Sequence, residues 1–138
     1  MKEFVIDTNA LLSYLTDRAP EQQERISRLF QEAVRMKVLI LCPQNVITEL
    51  VYVLDSVYKL SKDRISAILI DLIALPGLKI VHDVDFNLLL SYWPHRIRDY
   101  GDALIAAVCS SHRGSHVATF DRKLKSGLRS VGLSVATI

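Results

Sequence analysis

The hydrophobic pattern of this chain changes repeatedly between the period of a strand and the period of a helix. Five short apolar runs rich in β-branched residues have the composition of strands buried on both faces: residues 4–6, 38–42, 78–81, 117–120 and 133–136. Strands that alternate with helices favour a parallel sheet with right-handed crossovers. We therefore expect a single three-layer α/β domain with a central, mainly parallel sheet of about five strands flanked by helices.

Apolar residues at every third or fourth position predict helices over four stretches: residues 21–36, 44–58, 62–75 and 100–112. Pro20 suits the first turn of the first helix, and Ser61 is a suitable N-cap for the third. The pair Pro76-Gly77 would end that third helix.

Length and composition indicate one globular domain over residues 1–138. Half of the residues are hydrophobic and 23% are charged, which excludes a disordered chain. A chain of this length buries roughly 70% of its unfolded surface without a disulfide or a structural metal. The net charge of +2 permits an anionic substrate, but it is too small for a protein that coats nucleic acid.

The two cysteines and the N-terminal segment predict a cytoplasmic protein. Cys42 and Cys109 lie in apolar contexts and form no C-x-x-C pair, so we expect buried thiols in a reducing compartment. The sequence shows no signal-peptide pattern and no apolar run long enough to span a membrane.

Four acidic residues follow predicted strands or lie in the first turns of the next helices: Asp7, Glu49, Asp102 and Asp121. In an open parallel sheet these places share one edge, so residues that are distant in sequence meet at one cleft. Clustered carboxylates repel one another unless a cation lies between them. The pattern therefore predicts a metal site.

Each acid also has a structural interpretation. Asp7 and Asp121 would serve as N-caps, although Asn9 could replace Asp7 in that role. Glu49 could be a solvated residue at the margin of an apolar helix face. Asp102 follows the natural N-cap Asp99 by three residues, a spacing at which a capping box uses Glu or Gln.

These residues together resemble the PIN-domain ribonucleases, especially the VapC-type toxins. The resemblance covers essentially the whole chain and rests on four segments: Val5-Ile6-Asp7-Thr8-Asn9, Glu49, Asp102-Ala103-Leu104-Ile105-Ala106-Ala107 and Thr119-Phe120-Asp121. It implies an RNA endonuclease dependent on Mg²⁺ or Mn²⁺, with one or two ions held by the four acids. It also implies that three polar residues support the site: Thr8, Asn9 and Thr119. An antitoxin partner and a homodimer are further implications.

Phosphodiester hydrolysis makes the same demands on the chain. It needs an activated water and stabilisation of charge on the phosphate, and bound Mg²⁺ supplies both while taking one or two carboxylates. The four histidines are not required: His82, His95, His112 and His116. The candidate contacts to substrate are Arg96, Arg98, Tyr100, Arg122 and Lys123, of which Tyr100 would stack on an unpaired base. Solvated surface charge is the alternative for each basic residue.

Two other classes of function remain open at this point. A non-catalytic interaction module would use the acids only as caps. An aspartate-based phosphotransfer domain would use a strand-end Asp as nucleophile. Its phosphatase version expects a second Asp two residues later, where this chain has Asn9.

Overall fold

A four-stranded parallel sheet forms the centre of the molecule, and seven helices surround it. The computed structural model describes all 138 residues. In chain order the elements are β1 (Lys2–Ile6), α1 (Thr8–Leu15), α2 (Pro20–Val34), β2 (Val38–Pro43), α3 (Gln44–Ser56), α4 (Lys62–Ile73), β3 (Leu78–Val81), α5 (Phe86–Tyr92), α6 (Tyr100–Ser111), β4 (His116–Ala118) and α7 (Arg122–Ser130). The predicted α/β class and single domain are confirmed.

The strands lie in the order β3-β2-β1-β4, and every pairing is parallel. In the register of the sheet, Val5 lies between Leu41 of β2 and Val117 of β4. These side chains are at most 1% exposed. Helices cover both faces of such a sheet, so the central residues of its strands are apolar, as the sequence predicted.

The predicted fifth strand does not form. Residues 133–136 run parallel to β4 but form only an isolated bridge between Val117 and Val135. The Val117 backbone N–H donates to Ser134 O at 2.9 Å, and the Ala136 N–H donates to Val117 O at 2.8 Å. Because β4 is three residues long, it offers few backbone groups on this edge, and a full ladder does not form.

Two helices differ from the sequence prediction. α5 was not predicted, although Asp85 is its N-cap and accepts a hydrogen bond from the Leu88 amide at 3.2 Å. α7 is also absent from the predicted helices, although the sequence indicated its N-cap Asp121; it is a nine-residue helix that buries Leu124 and Leu128. The helices at 21–36, 44–58 and 100–112 form with ends that differ by one or two residues. Ser61 caps α4 as predicted.

Gly77 determines how α4 leads into β3. Its φ of +74° lies in the region that favours glycine, and a Cβ there would lie 2.2 Å from the Ala33 carbonyl oxygen. The Gly77 carbonyl accepts from the Ile40 amide at 2.7 Å. The turn therefore packs directly against the end of α2 while it starts the pairing of β3 with β2.

No helix has both the length and the apolar composition that crossing a membrane requires. Both cysteines are free and buried, as predicted, and burial raises the pKa of each thiol, that of Cys42 to about 12. Neither thiol is suited to act as a nucleophile.

Candidate acidic site

The carboxyl ends of β1 and β4 open into a cleft at the point where the strand order reverses. From β1 the chain proceeds outward to β2 and β3, and it later returns to the other side of β1 as β4. Side chains that follow β1 and β4 therefore meet at this switch point. Asp7 directly follows β1, and Asp121 lies three residues beyond the end of β4.

Asp7 is the most enclosed of the four predicted acids, with 6% of its surface exposed. Its Oδ1 accepts from the Ala10 backbone N–H at 2.9 Å and caps α1, so Asp7 and not Asn9 is the N-cap. Its Oδ2 accepts from the Thr119 hydroxyl at 2.5 Å. Each oxygen thus has a protein donor, which holds the carboxylate in one orientation.

Thr119 connects Asp7 to Asp121. It is fully buried, and its Oγ1 accepts from the Asp121 backbone N–H at 3.0 Å while it donates to Asp7. Asp121 caps α7 through Oδ1 alone, which accepts from the amides of Lys123 and Leu124. No protein group donates to the second oxygen of Asp121, which remains available for a ligand.

Glu49 approaches the site from α3. Thr8 at the start of α1 donates its hydroxyl to Glu49 Oε2 at 2.8 Å. A Cβ built on Gly101 would lie 3.3 Å from both Glu49 Oε1 and Asp99 Oδ1. The absence of a side chain at Gly101 therefore lets α3 bring Glu49 close to the start of α6.

Asp99 and Asp102 have the separate positions that the sequence suggested. Asp99 is the N-cap of α6, and its Oδ1 accepts from the Asp102 amide at 3.0 Å. The Asp102 carboxylate has no hydrogen-bond partner in the protein and lines the cleft. It is free to bind a ligand.

The cleft has a volume of about 180 Å³, and all four predicted acids line it. Thr8 and Asn9 line it as well, while Thr119 lies beneath it as the buried support of Asp7. None of the four histidines is part of the lining. Seven further residues that the sequence prediction did not assign to the site complete the wall: the apolar Leu12, Val46, Val53 and Ile105, and also Asn45, Asp99 and Gly101.

Burial raises the pKa of Asp7 to about 6, with a smaller contribution from the charge of Asp121; the hydrogen bonds from Thr119 and Ala10 act in the opposite direction. Burial likewise raises the pKa of Asp102 to about 6, assisted by the charges of Asp99, Asp121 and Asp7. Ionising these carboxylates together in the cleft therefore costs free energy, and a bound cation would offset that cost.

The lining groups suit a hydrated, hard cation. Every ionisable side chain in the cleft lining is a carboxylate, and Mg²⁺ prefers oxygen ligands of this type. No three His, Cys, Asp or Glu side chains are arranged closely enough to chelate one ion together. Mg²⁺ takes one or two carboxylates and keeps several waters, so the residues present fit such an ion without a closed ligand cage.

None of the four predicted basic contacts lines the cleft. Arg96 and Arg98 are exposed in the segment before α6, and Arg122 and Lys123 are exposed in the first turn of α7. The charge of Lys123 lowers the pKa of Asp102, but burial and the neighbouring carboxylates raise it more. The two ion pairs of the molecule, Arg28–Glu24 and Lys37–Glu32, lie elsewhere, so no Lys or Arg neutralises the cleft carboxylates directly.

Tyr100 presents part of its ring beside the acids. It is the first residue of α6 and is 38% exposed. Trp93 packs edge-on against it, with ring centroids 5.4 Å apart, and the Trp93 indole N–H donates to Arg98 O at 3.0 Å.

Comparisons with known proteins agree with this architecture. The family model described as the PIN domain matches residues 4–127. Salmonella typhimurium VapBC, crystallised bound to DNA, has a similar chain with 19% identity and a TM-score of 0.69, covering 99% of this chain and 98% of that one.

Two further solved structures share the fold. PAE2754 from Pyrobaculum aerophilum has 18% identity and a TM-score of 0.63, covering 94% of this chain and 87% of that one. The PIN domain endonuclease Utp24 has 23% identity and a TM-score of 0.53, covering 98% and 86%. No curated protein matches the sequence significantly. Since the family model spans nearly the whole chain, the protein belongs to the PIN-domain family.

Proposed function

We propose that the protein is a divalent-cation-dependent endoribonuclease whose cleavage centre is the acidic cleft. The observation that supports this most strongly is the convergence of four carboxylates from distant segments on one cleft, where burial and mutual charge raise the pKa of Asp7 and Asp102. Membership of the PIN-domain family and the fold shared with the endonuclease Utp24 add support for a nuclease.

In this proposal Asp7, Glu49, Asp102 and Asp121 would hold one or two Mg²⁺ or Mn²⁺ ions. The cation would supply activation of a water molecule and stabilisation of charge on the phosphate. The chain supplies orientation, because Thr119 holds the buried Asp7 and Thr8 holds Glu49. The Asp102 carboxylate and Asp121 Oδ2 have no protein donor. They would be free to accept a proton or a hydrogen bond from a bound water.

The substrate would approach along the exposed basic side chains next to the cleft. Arg96 and Arg98, before α6, and Arg122 and Lys123, in α7, would contact phosphates, since such contacts position a strand without reading its sequence. The half-exposed ring of Tyr100 would stack on an unpaired base beside the cleavage position.

We also propose that the protein is the toxin of a toxin–antitoxin pair in the cytoplasm. The fold shared with VapBC over nearly the entire chain supports this role. The helices at 21–36 and 44–58 are the candidate walls of a groove that would bind an amphipathic helix of the antitoxin. A groove between α3 and α4, lined in part by Val51, Tyr52 and Leu69 and with a volume of about 530 Å³, supports α3 as one of these walls.

A homodimer is part of the same proposal. Four large apolar side chains on α4 and α5 are more than half exposed: Ile70, Ile73, Phe86 and Leu90. Exposed apolar side chains of this size support contact with another protein surface, such as a second copy of the chain.

A non-catalytic PIN module is the second candidate. The capping bonds of Asp7 and Asp121 and the lack of a three-residue chelating group favour it. Such a module would bind RNA or protein without cleaving either.

Cleavage of a single-stranded RNA by the purified protein tests the proposal. Because water would be the nucleophile, the products should carry 5′-phosphate and 3′-hydroxyl ends, and EDTA should stop the reaction. Asp102→Asn should lose cleavage, while Asp63→Asn, at an exposed acid on α4, should retain it. A cyclic 2′,3′-phosphate product, or cleavage that persists in EDTA, would exclude the cation-dependent mechanism.

A further inference from the structure

Asn45 lies in the wall of the acidic cleft and has no hydrogen-bond partner in the protein. It is the second residue of α3 and precedes Glu49 by four positions, so the two side chains lie on the same face of the helix. Its Oδ1 is enclosed by protein and accepts no hydrogen bond. No other buried side-chain oxygen or nitrogen in the molecule is left without a partner in this way.

The fold does not explain an amide at this position. An enclosed carbonyl oxygen without a donor destabilises the folded protein, because it has lost its hydrogen bonds to water. The adjacent Val46 is buried, so apolar surroundings are available, and an aliphatic side chain of similar size would avoid the unpaired oxygen. We therefore look for the role of the Asn45 amide in a contact with a ligand that enters the cleft.

The cleft offers few side-chain hydrogen-bond donors, namely the Thr8 hydroxyl and the amides of Asn9 and Asn45. Its ionisable side chains are carboxylates, and the Thr8 hydroxyl already donates to Glu49. A phosphodiester also offers only acceptors. Since Asn45 lines the cleft and its oxygen is enclosed, we place its NH₂ group on the cleft side of the amide.

A neutral donor suits this position better than a cationic one. A lysine or arginine here would form an ion pair with the carboxylates and compete with a divalent cation for them. An amide can donate to a phosphate oxygen without neutralising the acids.

We infer that Asn45 is a substrate-contact residue whose side-chain NH₂ group donates a hydrogen bond to a non-bridging phosphate oxygen of the RNA strand bound in the cleft. The inference rests on the proposed function and specifies how the bound strand is oriented. The contact would come from α3, whereas the exposed arginines and Lys123 belong to α7 and to the segment before α6.

The test uses three variants and a stereospecific substrate. Asn45→Leu removes the donor and the unpaired oxygen, and Asn45→Asp replaces the donor by an acceptor. Asn87→Leu is the matched control, because Asn87 is likewise the second residue of its helix, α5, and is exposed. The substrates are a single-stranded RNA and the same RNA with one Rp or one Sp phosphorothioate at the mapped cleavage position. RNA affinity, kcat/KM in Mg²⁺ and in Mn²⁺, and Tm are measured.

Wild-type cleavage should be slowed by sulfur in one of the two diastereomers. Asn45→Leu should lower kcat/KM on ordinary RNA about tenfold, the size expected from a lost donor to a charged group, and should no longer discriminate against that diastereomer. Its Tm should be unchanged or higher. Asn45→Asp should lose more activity while remaining folded, because an acid in the first turn of a helix is favourable. Asn87→Leu should behave as the wild type.

Three results would overturn the inference. Equal kcat/KM and equal discrimination in Asn45→Leu would show that the amide does not contact the phosphate. Discrimination that persists in Asn45→Leu and is relieved by Mn²⁺ would assign that oxygen to the cation. A Tm lowered by several degrees in Asn45→Leu would make the amide structural. If the wild type neither binds nor cleaves the RNA, the proposed function fails together with this inference, whereas cleavage without an Asn45 effect refutes the inference alone.

Discussion

Thr119 and Asp7 are joined by a buried hydrogen bond at the switch point of the sheet. The Thr119 hydroxyl donates to Asp7 Oδ2 at 2.5 Å, and its oxygen accepts from the Asp121 amide at 3.0 Å. One fully buried threonine at the end of β4 thus holds the acid that follows β1 and the backbone of the acid that starts α7.

Thr119→Val should destabilise the protein by about 1–3 kcal/mol, because it leaves both Asp7 Oδ2 and the Asp121 amide without their partner. Valine keeps the shape of threonine, so the loss reports on the hydroxyl. Urea unfolding measures it, with Thr137→Val at an exposed position as the control. Equal midpoints for the two variants would show that the buried hydrogen bond contributes nothing to stability.

The stability of Asp7→Asn relative to the wild type should increase as the pH rises. Burial raises the pKa of Asp7 from 3.8 to about 6, so the folded protein binds this proton more tightly than the unfolded chain does. The wild type therefore loses stability between about pH 4 and pH 6, by up to about 3 kcal/mol for a shift of two units.

Asparagine cannot ionise, and it retains the capping bond to Ala10. The free energy of unfolding of both proteins, measured without divalent cations from pH 4 to pH 8, should show an advantage of Asp7→Asn that grows across this window and then levels. The exposed Asp63→Asn is the control. A difference that is constant with pH would contradict the cost of the buried charge.

Asp99→Ala and Asp102→Ala should have opposite effects. Asp99 caps α6 through the Asp102 amide, so its replacement should cost about 1 kcal/mol of stability while cleavage largely survives. The Asp102 carboxylate has no protein donor and is repelled by Asp99, Asp121 and Asp7. Asp102→Ala should therefore abolish cleavage and weaken Mn²⁺ binding without loss of stability in the metal-free protein. Loss of Mn²⁺ binding in Asp99→Ala instead would mean that the two roles are exchanged.

Asp121 is expected both to cap α7 and to bind the metal, and two variants separate these roles. Asp121→Asn keeps an oxygen for the amides of Lys123 and Leu124, so stability should remain near that of the wild type. Asp121→Ala removes the cap and should cost about 1–2 kcal/mol. Both should lose cleavage. An active Asp121→Asn variant would reduce Asp121 to a capping residue.

Gly77→Ala should be far more destabilising than Gly114→Ala. Both glycines have a positive φ, so both variants carry a similar backbone strain of about 1 kcal/mol. Only at Gly77 would the new Cβ meet a backbone carbonyl, that of Ala33 at 2.2 Å, whereas nothing lies within 4 Å at Gly114. Thermal unfolding of the pair measures the difference. Equal losses would mean that the turn before β3 moves away from α2 without cost.

The sequence alone determined the features that depend on neighbouring residues. The alternation of two hydrophobic periods was sufficient for the α/β class, and the caps at Ser61 and Asp99 were correct because an N-cap acts on an amide three residues away. Residues 133–136 carried the pattern of a strand and yet pair only at Val135, since the length of the neighbouring strand limits the pairing. α5 was missed because its apolar stripe is only seven residues long.

The tertiary structure alone decided which side chains share the cleft and what each one contacts. The order β3-β2-β1-β4 brings Asp7 and Asp121 together, and the close approach of α3 to Gly101 adds Glu49. The catalytic and metal-binding roles of these acids stay predictions. The hydrogen bond from Thr119 to Asp7 and the unpaired oxygen of Asn45 have no local sequence signal. Both depend on strand order and helix packing, which are contacts between residues distant in the chain, whereas periodicity and capping are properties of residues close together in it.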